Sequence, residues 1–280
     1  MESSLCPLNL EVREPLAADA ADFSMDVPGA FEALARAEDQ HFWHRSRNRI
    51  IAERLSNLGF PPRRGGLRTR VLELGCGGGC VARHLDSLGY DVTAVEGHLS
   101  LATRAAERVP GARVIAHDLG RGLTDVGRAF DVVALFDVIE HLDDPVGALR
   151  SALALASQDG IVVGTVPALD LLWSKVDELA GHKRRYDSHS LRGELERVGH
   201  AKTLEVVPFH RLIVPLMLLQ RRALDRAEQN LSSKNLSVPP APLNLALLAA
   251  LRLEAKLDLA LGGVGIPGSS LWFSLTHRKA

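Results

Sequence analysis

Long apolar runs, disulfide-scale cysteine content and a charge excess of either sign are all missing from this 280-residue chain. The longest apolar run, L-I-V-P-L-M-L-L at Leu212 to Leu219, falls well short of the ~20 residues a membrane-spanning helix needs. Three cysteines cannot build a disulfide framework, and Cys76 with Cys80 lacks the second pair that a zinc site requires, so both read as packing residues. Basic and acidic residues number 33 and 34, which excludes a global field favouring nucleic acid or an anionic surface and leaves only local contacts. The first residues, M-E-S-S-L-C-P-L-N-L, carry neither the basic region nor the apolar stretch of a secretory signal, so a cytoplasmic location is expected. What is present is a 46% apolar content, enough for a substantial core in one large domain or a domain with an insertion.

The most informative stretch is R-V-L-E-L-G-C-G-G-G-C at Arg70 to Cys80, which reads as a buried strand entering a glycine-rich turn that opens a helix. Such turns let the backbone approach a nucleotide-like ligand with no Cβ in the way. A nicotinamide site wants G-x-G-x-x-G. Here Glu73 stands two residues before Gly75, giving E-x-G-x-G-x-G with nothing basic to meet a phosphate, and a carboxylate there suits a cationic ligand. About 20 residues on, where a dinucleotide fold places its ribose-binding acid, D-V-T-A-V-E ends in Glu96.

At these residues the chain resembles the class I S-adenosylmethionine (SAM) dependent methyltransferases, and L-W-S-x-V-D-E-L-x-x-H-K-R-R-Y, ending at Tyr186, looks like a bacterial branch of them described as methyltransferase type 11 or 12. The resemblance continues through R-V-I-A-H-D-L, F-D-V-V-A-L-F-D-V-I-E-H-L and G-I-V-V-G-T-V-P, in the family's order, and covers roughly Val71 to Gly199. It implies that Glu73 and the loop of Gly75, Cys76, Gly77 and Gly79 hold the methionine end of SAM. Glu96 with Gly97 and His98 would hold the ribose, Asp118 and Leu119 the adenine, and Phe136 and Asp137 would line the pocket.

Around that core, apolar positions from Phe31 to Leu58 recur at helical spacing, while residues before about Asp26 read as a mobile arm. The alternation of strand-like and helix-like segments from 71 to 199 predicts a Rossmann-like α/β fold: a seven-stranded, mostly parallel sheet with helices on both faces. Residues 203–208 and 271–277 are expected as an antiparallel pair at the sheet edge. The resulting divisions are 1–66 (arm and helical cover), 67–208 (SAM-binding core), 209–268 (helical insertion) and 269–280 (last core strand). The insertion, with helices near 212–229 and 243–261, reads as a substrate cap, with a dimer surface, a thickened core and peripheral membrane contact through its Leu-rich faces as alternatives.

Methyl transfer is an in-line displacement in which positioning supplies most of the rate, and a hydroxyl or protonated amine acceptor also needs a base. His141, just past the fourth core strand, is the first candidate, with a structural histidine as the bland alternative. D-V-I-E-H is also similar to the E-x-x-E-H metal ligands of small-RNA and ubiquinone-pathway O-methyltransferases; Asp137 stands where they have Glu. The favoured reading has no divalent metal, and Asp137, Glu140 and His141 mark where one would sit. His182, Lys183, Arg184, Arg185 and Tyr186 form G-H-K-R-R-Y, either a clamp for an anionic acceptor, with His182 and Tyr186 as further catalytic candidates, or a solvated basic loop paired to Asp177 and Glu178. Trp43 and His44 are candidates for touching the acceptor, though packing is favoured for a tryptophan at helical spacing.

The expected function is methyl transfer from SAM to an O or N atom of a small-molecule or lipid-linked acceptor. The N-P-P-Y and D-P-P-Y motifs of base-modifying relatives are missing, and nucleic acid is not an expected partner. Two alternatives stay open: a SAM-using enzyme that cyclises or cleaves the aminobutyrate arm, and a SAM-binding subunit without catalysis.

Overall fold

Near-continuous aliphatic runs such as F-D-V-V-A-L-F mark strands buried on both faces, and they form the middle of one eight-stranded sheet. The computed structural model describes residues 9–13, 37–119, 126–127, 129–226, 238–261 and 266–277. In chain order these contain β1 (Leu10–Val12), α1 (Phe42–Asn57), a small hairpin of β2 (Arg63–Arg64) and β3 (Leu67–Arg68), β4 (Arg70–Leu74), α2 (Cys80–Ser87), β5 (Asp91–Glu96), α3 (Leu99–Arg108), β6 (Arg113–Ala116) and β7 (Phe130–Phe136). Then come α4 (Pro145–Leu155), β8 (Ala156–Pro167), a 3-10 turn (Asp170–Leu172), α5 (Lys175–Leu179), α6 (Ser188–Glu196), β9 (Ala201–Phe209), α7 (Val214–Arg226), α8 (Ala241–Leu261) and β10 (Ser270–His277).

Strand order is β1-β6-β5-β4-β7-β8-β10-β9, and β10 runs antiparallel between β8 and β9. Because β9 is antiparallel to β10 in turn, it runs with the parallel strands. Their carboxyl ends therefore share one edge, where open α/β sheets bind ligands. Alternation along each strand splits the core in two. Leu72, Leu74, Val133 and Leu135 face α4 and α6, whereas Val71, Val132, Ala134 and Phe136 face α1, α2 and α3.

Two expectations are adjusted. Among the described residues the sheet has eight strands rather than seven, because Leu10–Val12 pairs in parallel with β6, so part of the expected mobile arm is ordered. Asn9 explains its placement: its Nδ2 donates to the carbonyls of Ala106 (3.1 Å), Val109 (3.0 Å) and Ala112 (3.0 Å), satisfying acceptors at the end of α3. Phe31 and Leu34 of the expected helical cover lie outside the described residues. The insertion helices are Val214–Arg226 and Ala241–Leu261, and they dock on the start of α1 through Phe42, Ile213, Leu248 and Leu251. Asn244 caps that contact, accepting from Phe42 N at 2.8 Å and donating to Gln40 O at 2.8 Å.

Candidate functional site

The glycine loop follows β4 at the carboxyl edge. Gly75 (φ 73°), Gly77 (φ 55°) and Gly79 (φ 80°) all adopt left-handed backbone that side chains disfavour. At Gly79 a Cβ would also lie 3.0 Å from Ala105 Cα, so glycine is what lets α2 begin tight against α3. Gly77, by contrast, has open space where a Cβ would point.

Two carboxylates flank this loop. Glu73 is buried with Oε2 unpartnered, and burial pushes its pKa up to about 8 despite the nearby Arg47 cation. Glu96, at the end of β5, accepts from Gly77 N through Oε2 (2.8 Å) and from His98 N through Oε1 (3.0 Å), so the second acid braces the loop itself. Gly97, His98, Asp118 and Leu119 are half-buried beside it, with Leu119 packed against the main core. Above the loop, Arg108 donates from Nη1 to Gly78 O (2.9 Å) and Glu38 Oε2 (2.5 Å) and from Nη2 to Asp39 Oδ1 (2.7 Å), pinning the short helical turn at 37–40 over it.

Past β7 the chain turns sharply at Asp137, whose φ of 56° is strained for a residue with a Cβ. Its carboxylate accepts from Thr165 Oγ1 (3.1 Å) and from Arg47 Nη1 (2.5 Å), a half-buried ion pair that ties α1 to the carboxyl edge. Burial is the largest influence and lowers the Arg47 pKa, but the surrounding anionic groups, Asp137 foremost, together outweigh it and the guanidinium stays charged. Phe136 is buried and stacks at 6.5 Å on Trp272.

The expected basic cluster is brought to His141, but most of its charges are already taken. Lys183 N donates to Glu140 O at 2.9 Å, and the rings of His141 and His182 meet edge-on at 4.8 Å. Burial first, and His182 second, lower the His141 pKa, so its imidazole is neutral near pH 7. Arg185 is buried and donates to Asp177 Oδ1 (2.8 Å) and Ala168 O (2.7 Å), while Lys183 pairs with exposed Asp143 (2.5 Å) and Arg184 donates to Leu142 O (2.9 Å). Asp177 also takes His182 Nδ1 at 3.0 Å and the guanidinium of Arg221 from α7. Arg185, named as an acceptor contact, thus spends its guanidinium on internal partners. Tyr186, the further catalytic candidate, lies in the core beside Leu191, and burial, the largest influence, pushes its hydroxyl up to about 12.

Glu140, His141 and His182 place one potential ligand atom each within 4.8 Å of one another. Asp137, grouped with the first two by sequence, is turned instead to Arg47 and Thr165. Glu140 is fully buried, neither carboxylate oxygen has a hydrogen-bond partner, Oε1 lies 4.0 Å from His182 Nε2, and burial raises its pKa well above the ordinary value.

Trp43 stacks under the Arg47 guanidinium (5.0 Å to the ring centroid) and meets His44 at 4.9 Å and His210 at 5.8 Å. Sequence reading missed Arg47, Thr165 and His210. His210 follows the carboxyl end of β9 at φ 58°, bonds Ser46 Oγ at 2.9 Å through Nε2, and is held neutral by burial, which pushes its pKa down to about 3. A cavity of about 290 Å³ between α1, β9 and α8 is lined by Glu53, Arg54, Glu205, Glu254 and Asp258, none of which belongs to the glycine loop.

Comparison with known proteins agrees with this geometry. A family model described as a methyltransferase domain matches residues 42–205. A ubiquinone biosynthesis O-methyltransferase of Ruegeria pomeroyi is 34% identical over 97 residues, 34% of this chain and 39% of its own length. One of Caulobacter sp. (strain K31) is 30% identical over 155 residues, 52% and 61% of the two chains, so this chain spans less than two thirds of either relative. Among solved structures, the plantazolicin methyltransferase BamL, in complex with S-adenosylhomocysteine (SAH), matches 92% of this chain and 93% of its own at a TM-score of 0.57 and 14% identity. A SAM-dependent methyltransferase from Clostridium acetobutylicum matches 89% and 99% at 0.55 and 11%. At those identities the likeness is one of fold. With a glycine loop flanked by Glu73 and Glu96 on a sheet of this order, and a family model covering more than half of its residues, the chain belongs to the class I SAM-dependent methyltransferases.

Proposed function

We propose that this chain transfers a methyl group from SAM to an O or N atom of a small-molecule or lipid-linked acceptor in the cytoplasm. The observation that carries the reading is Glu73: a buried carboxylate with a partnerless oxygen beside a glycine loop, suited to a cation. Bound SAM would supply a sulfonium methyl. Glu73 and Gly75 to Gly79 would hold its methionine end, Glu96, Gly97 and His98 its ribose, and Asp118, Leu119, Phe136 and Asp137 the remaining walls.

His141 is the proposed base. While the acceptor oxygen or nitrogen took the methyl carbon and the carbon–sulfur electron pair left with SAH, the neutral imidazole of His141 would accept the acceptor proton and pass it to water. His182 keeps that ring oriented through edge contact and is itself fixed by Asp177. Trp43 and His44 would touch the acceptor, with the insertion as a cap over residues 67–208.

SAM turnover with a panel of phenols and amines, read as SAH formation with and without EDTA, tests the reading. The expected result is SAH with methylated product. Methylthioadenosine without methylated product would replace it with cleavage of the aminobutyrate arm. Glu96→Ala is expected to weaken SAM binding by about 10- to 100-fold, the scale of lost hydrogen bonds to a charged group. His141→Ala should spare binding and lower kcat by about 100-fold or more. Full activity of His141→Ala would remove it as the base.

A further inference from the structure

Helix α8 carries Leu245 (58% exposed), Leu253 (57%) and Leu257 (49%) outward at helical spacing, with Leu243 also exposed at its start. Arg252 and Lys256 are exposed between them. The two acids of the same stretch are turned the other way. Glu254 is buried and accepts from Arg211 N (2.7 Å) and Leu212 N (2.9 Å), and Asp258 pairs with the Arg211 guanidinium. The described outer face of α8 is thus leucine and cation with no acid among them, although the whole chain carries a net charge of -1. Helix α7 repeats the pattern with exposed Leu216, Leu219 and Arg222.

We propose that this outer face is a docking surface for an anionic lipid bilayer, on which the protein lies with α8 parallel to the membrane plane. Leucines that would enter the acyl boundary and cations placed to meet anionic headgroups are the signature of an interfacial helix. No helix among the described residues is long and apolar enough to cross a membrane. Topology gives the docking a purpose. Helix α7 leaves the carboxyl end of β9 and α8 leads back to the start of antiparallel β10, so both hang from the sheet edge that bears Glu73, Glu96 and His141. A lipid-linked acceptor could then reach the site from the bilayer. That choice of acceptor class rests on the transferase reading; the docking does not.

The test is co-sedimentation of the full chain with vesicles of phosphatidylcholine alone and of phosphatidylcholine mixed with phosphatidylglycerol. Binding is expected to the anionic vesicles and to weaken with salt. It should fall about fivefold for each of Arg252→Ser and Lys256→Ser, the loss of one cation near a charged surface. The double variant Leu253→Glu, Leu257→Glu should lose vesicle binding while keeping its SAM affinity measured in solution. If that variant also lost SAM affinity, the milder Leu257→Ser would carry the comparison. Failure to bind anionic vesicles, or binding unchanged by these substitutions, overturns the proposal. So does a wild-type dimer without vesicle binding that the glutamates convert to monomer, which would make the face an interface between copies. Loss of SAM binding or turnover in the wild type would strike the transferase reading and leave the docking result standing.

Discussion

Glu73 shows how one side chain can be tuned for a ligand at a cost to the fold. Its ordinary value is 4.5, and in the folded chain burial raises it to about 8. Below pH 4.5 both states hold the proton. Between those values the unfolded chain releases it and the folded chain keeps it, so the ligand-free protein loses stability as pH rises, by a few kcal/mol at most. Glu73→Gln removes this slope. The variant is expected to be the more stable form at pH 8 and near parity at pH 4, by denaturant titration, while binding SAM less well; equal slopes for the two proteins would contradict the burial argument. Glu73 and Glu96 were legible in the sequence because each is fixed by a short spacing to its own loop or strand end. Arg47 was not, because its partner Asp137 lies 90 positions away and only folding brings them together.

The same limit operates between elements. Central strands and their helices could be read from runs and periodicity, since each of those signals is local. The edge strand β1 is three residues long, and its ordering depends on Asn9 reaching the end of α3, a contact no period encodes. The sequence likewise left G-H-K-R-R-Y open between a substrate clamp and internal salt bridges. The structure favours bridges for Arg185, because buried Asp177 gathers Arg185 and His182 from that segment and Arg221 from α7. Burial alone would raise the Asp177 pKa, but hydrogen bonds from His182 and Arg185 hold it well below the carboxylate range. Its stabilising contribution is present above about pH 4 and fades as pH falls below the unfolded value. Asp177→Asn, which leaves two guanidinium groups without their buried counter-charge, should cost about 3 to 5 kcal/mol at pH 7. The difference from wild type should shrink at pH 3, as thermal melts across pH can measure.

At the scale of the whole molecule, cofactor binding, proton release and folding are one linked equilibrium. A cation placed against Glu73 favours the carboxylate, so binding must expel the proton that the ligand-free protein holds near neutrality. Affinity should therefore rise with pH over roughly 6 to 8, by up to about tenfold per pH unit, and level off above the ligand-free value. The choice of ligand identifies the cation. SAM and SAH share the ammonium of the methionine end, but only SAM carries the sulfonium. If Glu73 holds the methionine end, both ligands show the rise in calorimetric titrations and both lose it in Glu73→Gln. A rise for SAM with a flat profile for SAH would instead put the carboxylate against the sulfonium, beside the transferring methyl. Folding reports the same linkage independently: either ligand at 100 times its Kd adds about 2.7 kcal/mol to stability. The thermal midpoint then rises by roughly 5 to 10 °C. At a fixed ligand concentration that increment should grow between pH 6 and roughly pH 8 in the wild type and stay constant in Glu73→Gln, because only the wild type must surrender a proton to bind.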